Sequence, residues 1–430
     1  MDGLTDEVIL EKVKERLSCF DLTQADYAKI RAKMNDAMLR GLNLGTRDKA
    51  SVKMYPSFVT KLPNGTGKTK LFIYSRRGEE LFDYIATTLK NFLQRFGIAD
   101  KEMKLGFTFS FPCEQHGLNK AILVRWTKGF DASDVVGKDV AHLLQKAIDK
   151  TGLKIHCVAV VNDTVGTLAS CALEDRKCAV GLIVGTGTNA AYIEKSENVP
   201  SMHKILASRN SPPVTDENVI INMEWGAFGE EGDLAPYLTS YDKLLDKGSL
   251  HPGKQIFEKM VSGMYLGELV RLIILDLVDQ KLLFRGDLPD SLKTLHSFPT
   301  KYITETERDP PHLFYSTHYM LTEDLNVPIV EPVDDRVVRY ACELVARRAA
   351  YLAGAGTFET DPFPLRFRLF HVSRNDRRLL QTSLLMPLIL LRSVSLSSRQ
   401  MRLLVFRLRL SEDGSGKGAA AIAAAATRTS

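Results

Sequence analysis

Two short segments hold the residue types that group transfer requires. Asn162-Asp163-Thr164 closes a β-branched apolar run that begins near Ile155, and Gly185-Thr186-Gly187-Thr188-Asn189 interrupts a second such run further on. The first sets a carboxylate beside an amide at a strand's end. The second is a glycine-relieved turn whose backbone N–H groups can crowd around an anion. A base and a phosphate cradle are the minimum equipment for moving a phosphoryl group onto an alcohol.

Each segment also has a plainer reading. Asp163 serves equally as the N-cap of a helix beginning near Val165. The glycine turn serves as a hairpin joining Ala179–Val184 to Ala190–Ile193, with Asn162 and Asn189 as ordinary turn residues. Glu224 sits among bulky apolar and glycine residues in Asn222–Gly229, and Glu258 opens an apolar helix at Phe257; each reads alone as a solvated or dipole-favoured acid. Lys128 lies in Trp126-Thr127-Lys128-Gly129-Phe130, where a lysine usually snorkels. Gly65-Thr66-Gly67-Lys68-Thr69 imitates a Walker A loop, but Leu62 occupies the position of its first glycine.

The elements that must position these groups follow from periodicity. Tyr27, Ile30, Met34, Ala37 and Met38 share one helical face, with Thr23 and Asp26 as a capping box and Gly41 as the stop. A connector with Pro56, Pro63 and Gly65 leads to a short strand at Leu71–Tyr74. A second helix spans Glu79 to Phe96, with Leu81, Ile85, Leu89, Phe92, Leu93 and Phe96 inward and Gly97 as the stop. Leu105–Phe111 reads as a strand. A helix around Val140–Ile148 then leads to the strand before Asp163, an order that implies a parallel α/β sheet. Phe257–Val278 is helical with an interruption at Ser262-Gly263, and another helix covers Asp334–Ala355.

Bulk properties narrow the class. The chain of 430 residues exceeds what one core usually covers, so two lobes are expected. No apolar stretch reaches the about 18 residues a membrane helix needs and no N-terminal apolar run follows a basic start, so neither membrane spanning nor secretion is expected. Six cysteines without paired spacing form neither a metal nor a disulfide framework, as in a reducing cytosol, and Cys157 reads as a small buried hydrophobe. The net charge of +5 is misleading, because residues 365–410 hold ten Arg, no Lys, no Glu and only Asp376. The remainder is mildly acidic, which gives no footprint for nucleic acid. That segment also carries fourteen Leu and no Gly, without sustained periodicity. Ser411–Gly418 then forms a glycine loop ahead of an Ala-rich helix to Thr427.

Taken together, Leu105–Pro112, Trp126–Phe130, Val161–Thr167, Gly181–Asn189, Asn222–Gly229, Ser262–Glu268 and the Ser411–Gly418 loop resemble the eukaryotic hexokinase family in order and spacing. The resemblance runs from about residue 20 to 356 and resumes at 410. It implies a two-lobed actin-like (ribonuclease H-like) sugar kinase fold of the α/β class, closing on a cleft. It also implies transfer of the ATP γ-phosphoryl group to the 6-hydroxyl of glucose or a related hexose, at the entry to glycolysis, in the cytoplasm. Asp163 would be the base, with Lys128 facing the phosphoryl group. Ser110, Thr127, Lys128, Asn162, Asp163, Asn189, Glu224 and Glu258 would form the hexose site. Gly185, Thr186, Gly263, Gly414 and Ser415 would hold the nucleotide, and Mg2+ would bridge its phosphates, held partly through water. A sugar presents a rim of donor-acceptor hydroxyls, which amides and carboxylates satisfy directionally.

The chain departs from the family twice. Relatives carry an Asp-Leu-Gly-Gly-Thr-Asn hairpin soon after the segment seen here at Phe58–Pro63; here Pro63-Asn64-Gly65-Thr66 passes almost directly into Lys70–Tyr74. That loses the first phosphate loop and leaves the small lobe incomplete. After Gly356 the Leu/Arg-rich stretch replaces a nucleotide-side segment, as an alternative splice or misread frame would. The expected organisation is an N-terminal helix and connector (1–66), a truncated small lobe (67–163), a large lobe (164–364), an atypical segment (365–410), and a nucleotide-side loop with a C-terminal helix (411–430). A catalytically impaired hexose-binding or regulatory relative is the alternative function.

Overall fold

Ten strands in three sheets carry the architecture of the computed structural model, which describes residues 5–59, 77–128, 130–176, 178–208, 216–310, 312–357, 367–373, 405–411 and 414–426. The strands are β1 (Tyr55–Pro56), β2 (Met103–Thr108), β3 (Cys113–Gly117), β4 (Lys120–Leu123), β5 (Ile155–Val161), β6 (Cys178–Val184), β7 (Thr188–Lys195), β8 (Asn218–Asn222), β9 (Phe367–Ser373) and β10 (Val405–Ser411). One sheet has the order β1-β8-β7-β6-β9-β10. Its first four strands run antiparallel to their neighbours, and β6, β9 and β10 run parallel. β2 pairs parallel with β5, as the strand-helix-strand order predicts, and β3 with β4 makes a hairpin.

Amphipathic helices cover these sheets where their apolar stripes require it. Helices Gly78–Arg95 and Val140–Thr151 close a core over β2–β5 through Leu81, Phe82, Leu144 and Ile148. A second set of cores gathers the helices around the larger sheet. There Tyr27, Ile30 and Met34 of helix Gln24–Leu42 meet Trp225, Phe257 and Leu352. The capping box of Thr23 and Asp26 forms as expected. A buried bidentate pair ties helix Pro332–Thr357 to helix Ser240–Gly248, with Arg348 donating to Asp242 at 2.7 Å through both terminal nitrogens. In a further cluster Val161, Val165, Leu168 and Cys171 pack against Ala419, Ile422 and Ala423 of the C-terminal helix Gly414–Ala426.

Several sequence expectations are corrected. Gly41 lies inside its helix, which runs on to Leu42, because the missing Cβ lets the Val52 carbonyl press against it. Phe96 is 61% exposed, leaning on Phe92 at the surface instead of pointing inward. Cys157 is only half-buried. The glycine loop at Ser411–Gly418 divides otherwise, with Ser411 ending β10 and Gly414 opening the C-terminal helix. The Leu/Arg-rich segment supplies β9 and β10. Its alternation is local, as in Phe406-Arg407-Leu408-Arg409-Leu410, and too short to register as a sustained period. The strand expected at Leu71–Tyr74 and the Walker-like Gly65–Thr69 lie outside the described residues.

Candidate active site

Asn162 resolves the ambiguity at the end of β5. It is the N-cap of helix Asp163–Glu174, with its Oδ1 accepting the Thr164 N–H at 2.9 Å and the Thr164 hydroxyl at 2.6 Å. Asp163 is the next residue, the first of the helix. It is half-buried, and one of its oxygens also accepts the Thr164 N–H at 2.9 Å. Capping therefore does not depend on Asp163. Its carboxylate stands at the carboxyl end of a parallel strand and at a helix N-terminus, where α/β proteins place ligand-binding groups.

Around it three strand ends deliver amides. Asn189, near the start of β7, donates through Nδ2 to Asn222 Oδ1 at 2.7 Å and Glu224 Oε1 at 3.1 Å, with a longer contact of 3.3 Å to Asn162 Oδ1. Asn222, the last residue of β8, donates to the same Glu224 oxygen at 2.8 Å, and Asn162 approaches it at 3.4 Å. The Glu224 N–H returns a bond to Asn189 Oδ1 at 3.0 Å, from a backbone at φ +55°. Burial pushes the Glu224 carboxyl up to about 7, against the Asn222 hydrogen bond and the charge of Lys128. With three amides directed at one of its oxygens and its own N–H held by Asn189, Glu224 is not the freely solvated acid of the plainer reading.

Glu258 is more deeply placed, 3% exposed in the short helix Ile256–Val261. Its Oε2 accepts the Thr188 N–H at 3.0 Å, while Oε1 is buried without a partner. Burial raises its pKa, with Lys128 opposing the rise. A buried acceptor without a donor costs on the order of 1–3 kcal/mol, so this oxygen is held ready for something that donates. Gly187 makes the arrangement possible: a Cβ there would come within 2.5 Å of both Glu258 Oε2 and Lys128 Cε.

Lys128 does not snorkel. It sits at φ +57°, donates from Nζ to the Ser110 carbonyl at 3.0 Å, and lies 5.9 Å over the Phe111 ring. Thr127, buried beside it in the chain, accepts the Phe130 N–H through its carbonyl at 3.1 Å. Asp163 contributes repulsion to both Glu224 and Glu258, which places all three acids in one electrostatic neighbourhood. Asn222 belongs to this network, although in the sequence it stands out only as part of the Asn222–Gly229 motif. The signal available was an amide two residues before a buried acid, at a strand's end.

The glycine turn proves to be a hairpin between β6 and β7, and its polar backbone is partly occupied. The Gly185 N–H donates to the Gly187 carbonyl at 2.9 Å, and the Gly185 carbonyl accepts the Gly263 N–H at 2.7 Å. Thr186 is exposed, its carbonyl accepting the Met264 N–H at 3.3 Å, and the space beside Gly185 is open. Gly185, Thr186 and Gly263 thus come together, with Thr186 offering the available hydroxyl. Gly414 and Ser415 begin the C-terminal helix, which packs on helix Asp163–Glu174 and on β2.

A hexokinase family model matches residues 179–360, and a second matches 12–74 and 68–173 as two pieces. The curated Hexokinase of Schistosoma mansoni is 52% identical over 472 residues, covering 99% of each chain. That alignment is longer than the 430 residues here, so the relative carries segments this chain lacks. Human Hexokinase-1 is 40% identical over 80% of this chain and 40% of its own length. Among solved structures, Schistosoma mansoni hexokinase complexed with glucose superposes with a TM-score of 0.88 at 50% identity, covering 98% of this chain and 100% of that one. A second hexokinase crystal structure, 27% identical, gives 0.73 over 98% and 100%. The fold is that of an actin-like sugar kinase. The chain belongs to the hexokinase family. By family it is an ATP-dependent hexose phosphotransferase.

Proposed function

We propose that this chain binds glucose between Asn162, Asn189, Glu224, Glu258, Ser110 and Thr127, and transfers the γ-phosphoryl group of ATP to its 6-hydroxyl. The observation that carries this reading is the unpartnered Glu258 oxygen, buried beside three interlocked amides and one lysine within reach of Asp163's field. Such a site recognises a molecule rich in hydroxyls and rejects one lacking them, since its own polar groups would go unpaired.

In the reaction Asp163 removes the proton from the 6-hydroxyl as O6 forms its bond to the γ-phosphorus. The bond from that phosphorus to the bridging oxygen breaks, and ADP leaves with the electron pair. Lys128 offsets charge on the transferring group. Gly185 and Thr186 take the phosphate side, where the exposed Thr186 and the open space at Gly185 leave room for a phosphate, and Gly263 lies toward the adenosine side. Gly414 and Ser415 present a helix start instead of a loop, and we retain them as nucleotide-side residues on that basis. No cluster of acids, histidines or cysteines among the described residues would ligate a metal by itself, so magnesium would arrive with the ATP phosphates and would supply charge neutralisation there. We assign 67–163 and 164–364 as the closing lobes. We also assign a cytoplasmic setting, which six cysteines held outside any disulfide favour. No helix among the described residues is long and apolar enough to cross a membrane.

The test is a coupled assay of hexose phosphorylation on the purified chain. Asp163→Asn should lower kcat by about 10²–10⁴-fold while glucose affinity changes little. Unchanged turnover would remove Asp163 as the base. A second reading, a sugar-binding relative with little turnover, is favoured by the family match breaking between 68 and 74, where the phosphate hairpin is missing. Each lost oxyanion-type donor is worth about 2.7–4 kcal/mol.

A further inference from the structure

Arg125 follows β4 in the core of Leu123 and Trp126, whereas Glu230 follows Phe228 in the core of Trp225 and Phe257. The two meet in an ion pair, with the Arg125 guanidinium 3.3 Å from Glu230 Oε1. Glu230 has a side chain only 8% exposed, and it holds two further partners. Its Oε1 accepts the Gln255 N–H at 3.0 Å, and its Oε2 meets Lys254 Nζ at 3.1 Å. Gln255 is no neutral position. It adopts φ +54° as the residue that starts helix Ile256–Val261, and its carbonyl accepts the Lys259 N–H at 3.0 Å. Glu258 lies within that helix.

We infer that Arg125 and Glu230 form a latch that couples approach of the two bodies to placement of the Glu258 carboxylate, making both positioning residues for hexose binding. A buried carboxylate with three donors has one low-energy orientation. When Arg125 engages, that orientation also fixes the start of the Glu258 helix. The same approach delivers Thr127 and Lys128, two and three residues beyond Arg125, to the cleft. The positive charge of Arg125 also partly offsets the burial of Glu224 and Glu258. The idea rests on the cleft binding a hexose, as proposed above.

The experiment is a double-mutant cycle of Arg125→Met and Glu230→Gln, read by steady-state kinetics and by thermal melting without sugar. Arg125→Met should raise the hexose KM by about tenfold with kcat little changed, and Arg125→Lys should recover most of the loss. In the Glu230→Gln background the same change at Arg125 should have little further effect on KM or on the melt. An unaltered KM in Arg125→Met would overturn the latch, and so would effects of the two substitutions that simply add. If the unmodified chain neither binds nor phosphorylates a hexose, the functional reading fails. The sugar-free melting cycle then decides the latch alone, and additive melts refute it.

Discussion

Glu224 concentrates three amide contacts on one oxygen and still holds its proton up to about 7, because burial costs the anion more than those bonds return. The folded protein therefore binds more protons than the unfolded chain between about 4.5 and about 7. Stability from this residue is fully present at the acid end and falls as pH rises through that window, by on the order of 3 kcal/mol. Urea titrations at about pH 5 and about pH 8 check this. Glu224→Gln should lose less stability than the parent chain on going to the higher pH, while the slope due to Glu258 persists in both. Equal slopes would refute the assignment. At this scale the sequence named the acids but not their state. Whether Asp163 or Asn162 caps the helix depended on which side chain reaches the Thr164 N–H, and both do, with Asn162 also taking the hydroxyl.

Between elements, close approach decides more than propensity does. Gly106 lies in β2 at a register shift, where the backbone of the C-terminal helix at Ala419 presses onto it, leaving no room for a Cβ. Backbone cannot rotate aside as a side chain can. Gly106→Ala should thus displace the C-terminal helix and cost about 1–3 kcal/mol. A melt unchanged from the parent would show that the helix does not need that contact. The periodic elements were legible because each buries one stripe: the capping box, the helices at Gly78–Arg95 and Val140–Thr151, and the break at Ser262 all follow their sequence signals. Phe96 and the Leu/Arg-rich strands were not. An aromatic at a helix's last turn can cover its neighbour from outside, and seven-residue strands inside a biased segment leave too short a pattern.

At the level of the molecule, the sugar side and the nucleotide side are unequally furnished. Asn162, Asn189, Asn222 and Glu224 share one network with Glu258 held beside it through Thr188, whereas the first phosphate hairpin has no counterpart in the sequence. Glucose at a hundredfold excess over its Kd should stabilise the fold by about 2.7 kcal/mol, and ATP should add far less until the missing hairpin is inserted. Thermal melts of the chain and of the hairpin-restored version test this, and a glucose-insensitive melt would count against both functional readings. The sequence by itself determined the family, the order of elements and the identity of the acids and amides, because motifs and periodicity are local properties of the chain. Only the tertiary structure decided that Asn222 joins the site, that Glu258 keeps an unpaired oxygen, that Gly185 has its N–H already engaged, and that Arg125 reaches Glu230. Those facts depend on distances between residues far apart in the chain, and such distances exist only once the cores have packed.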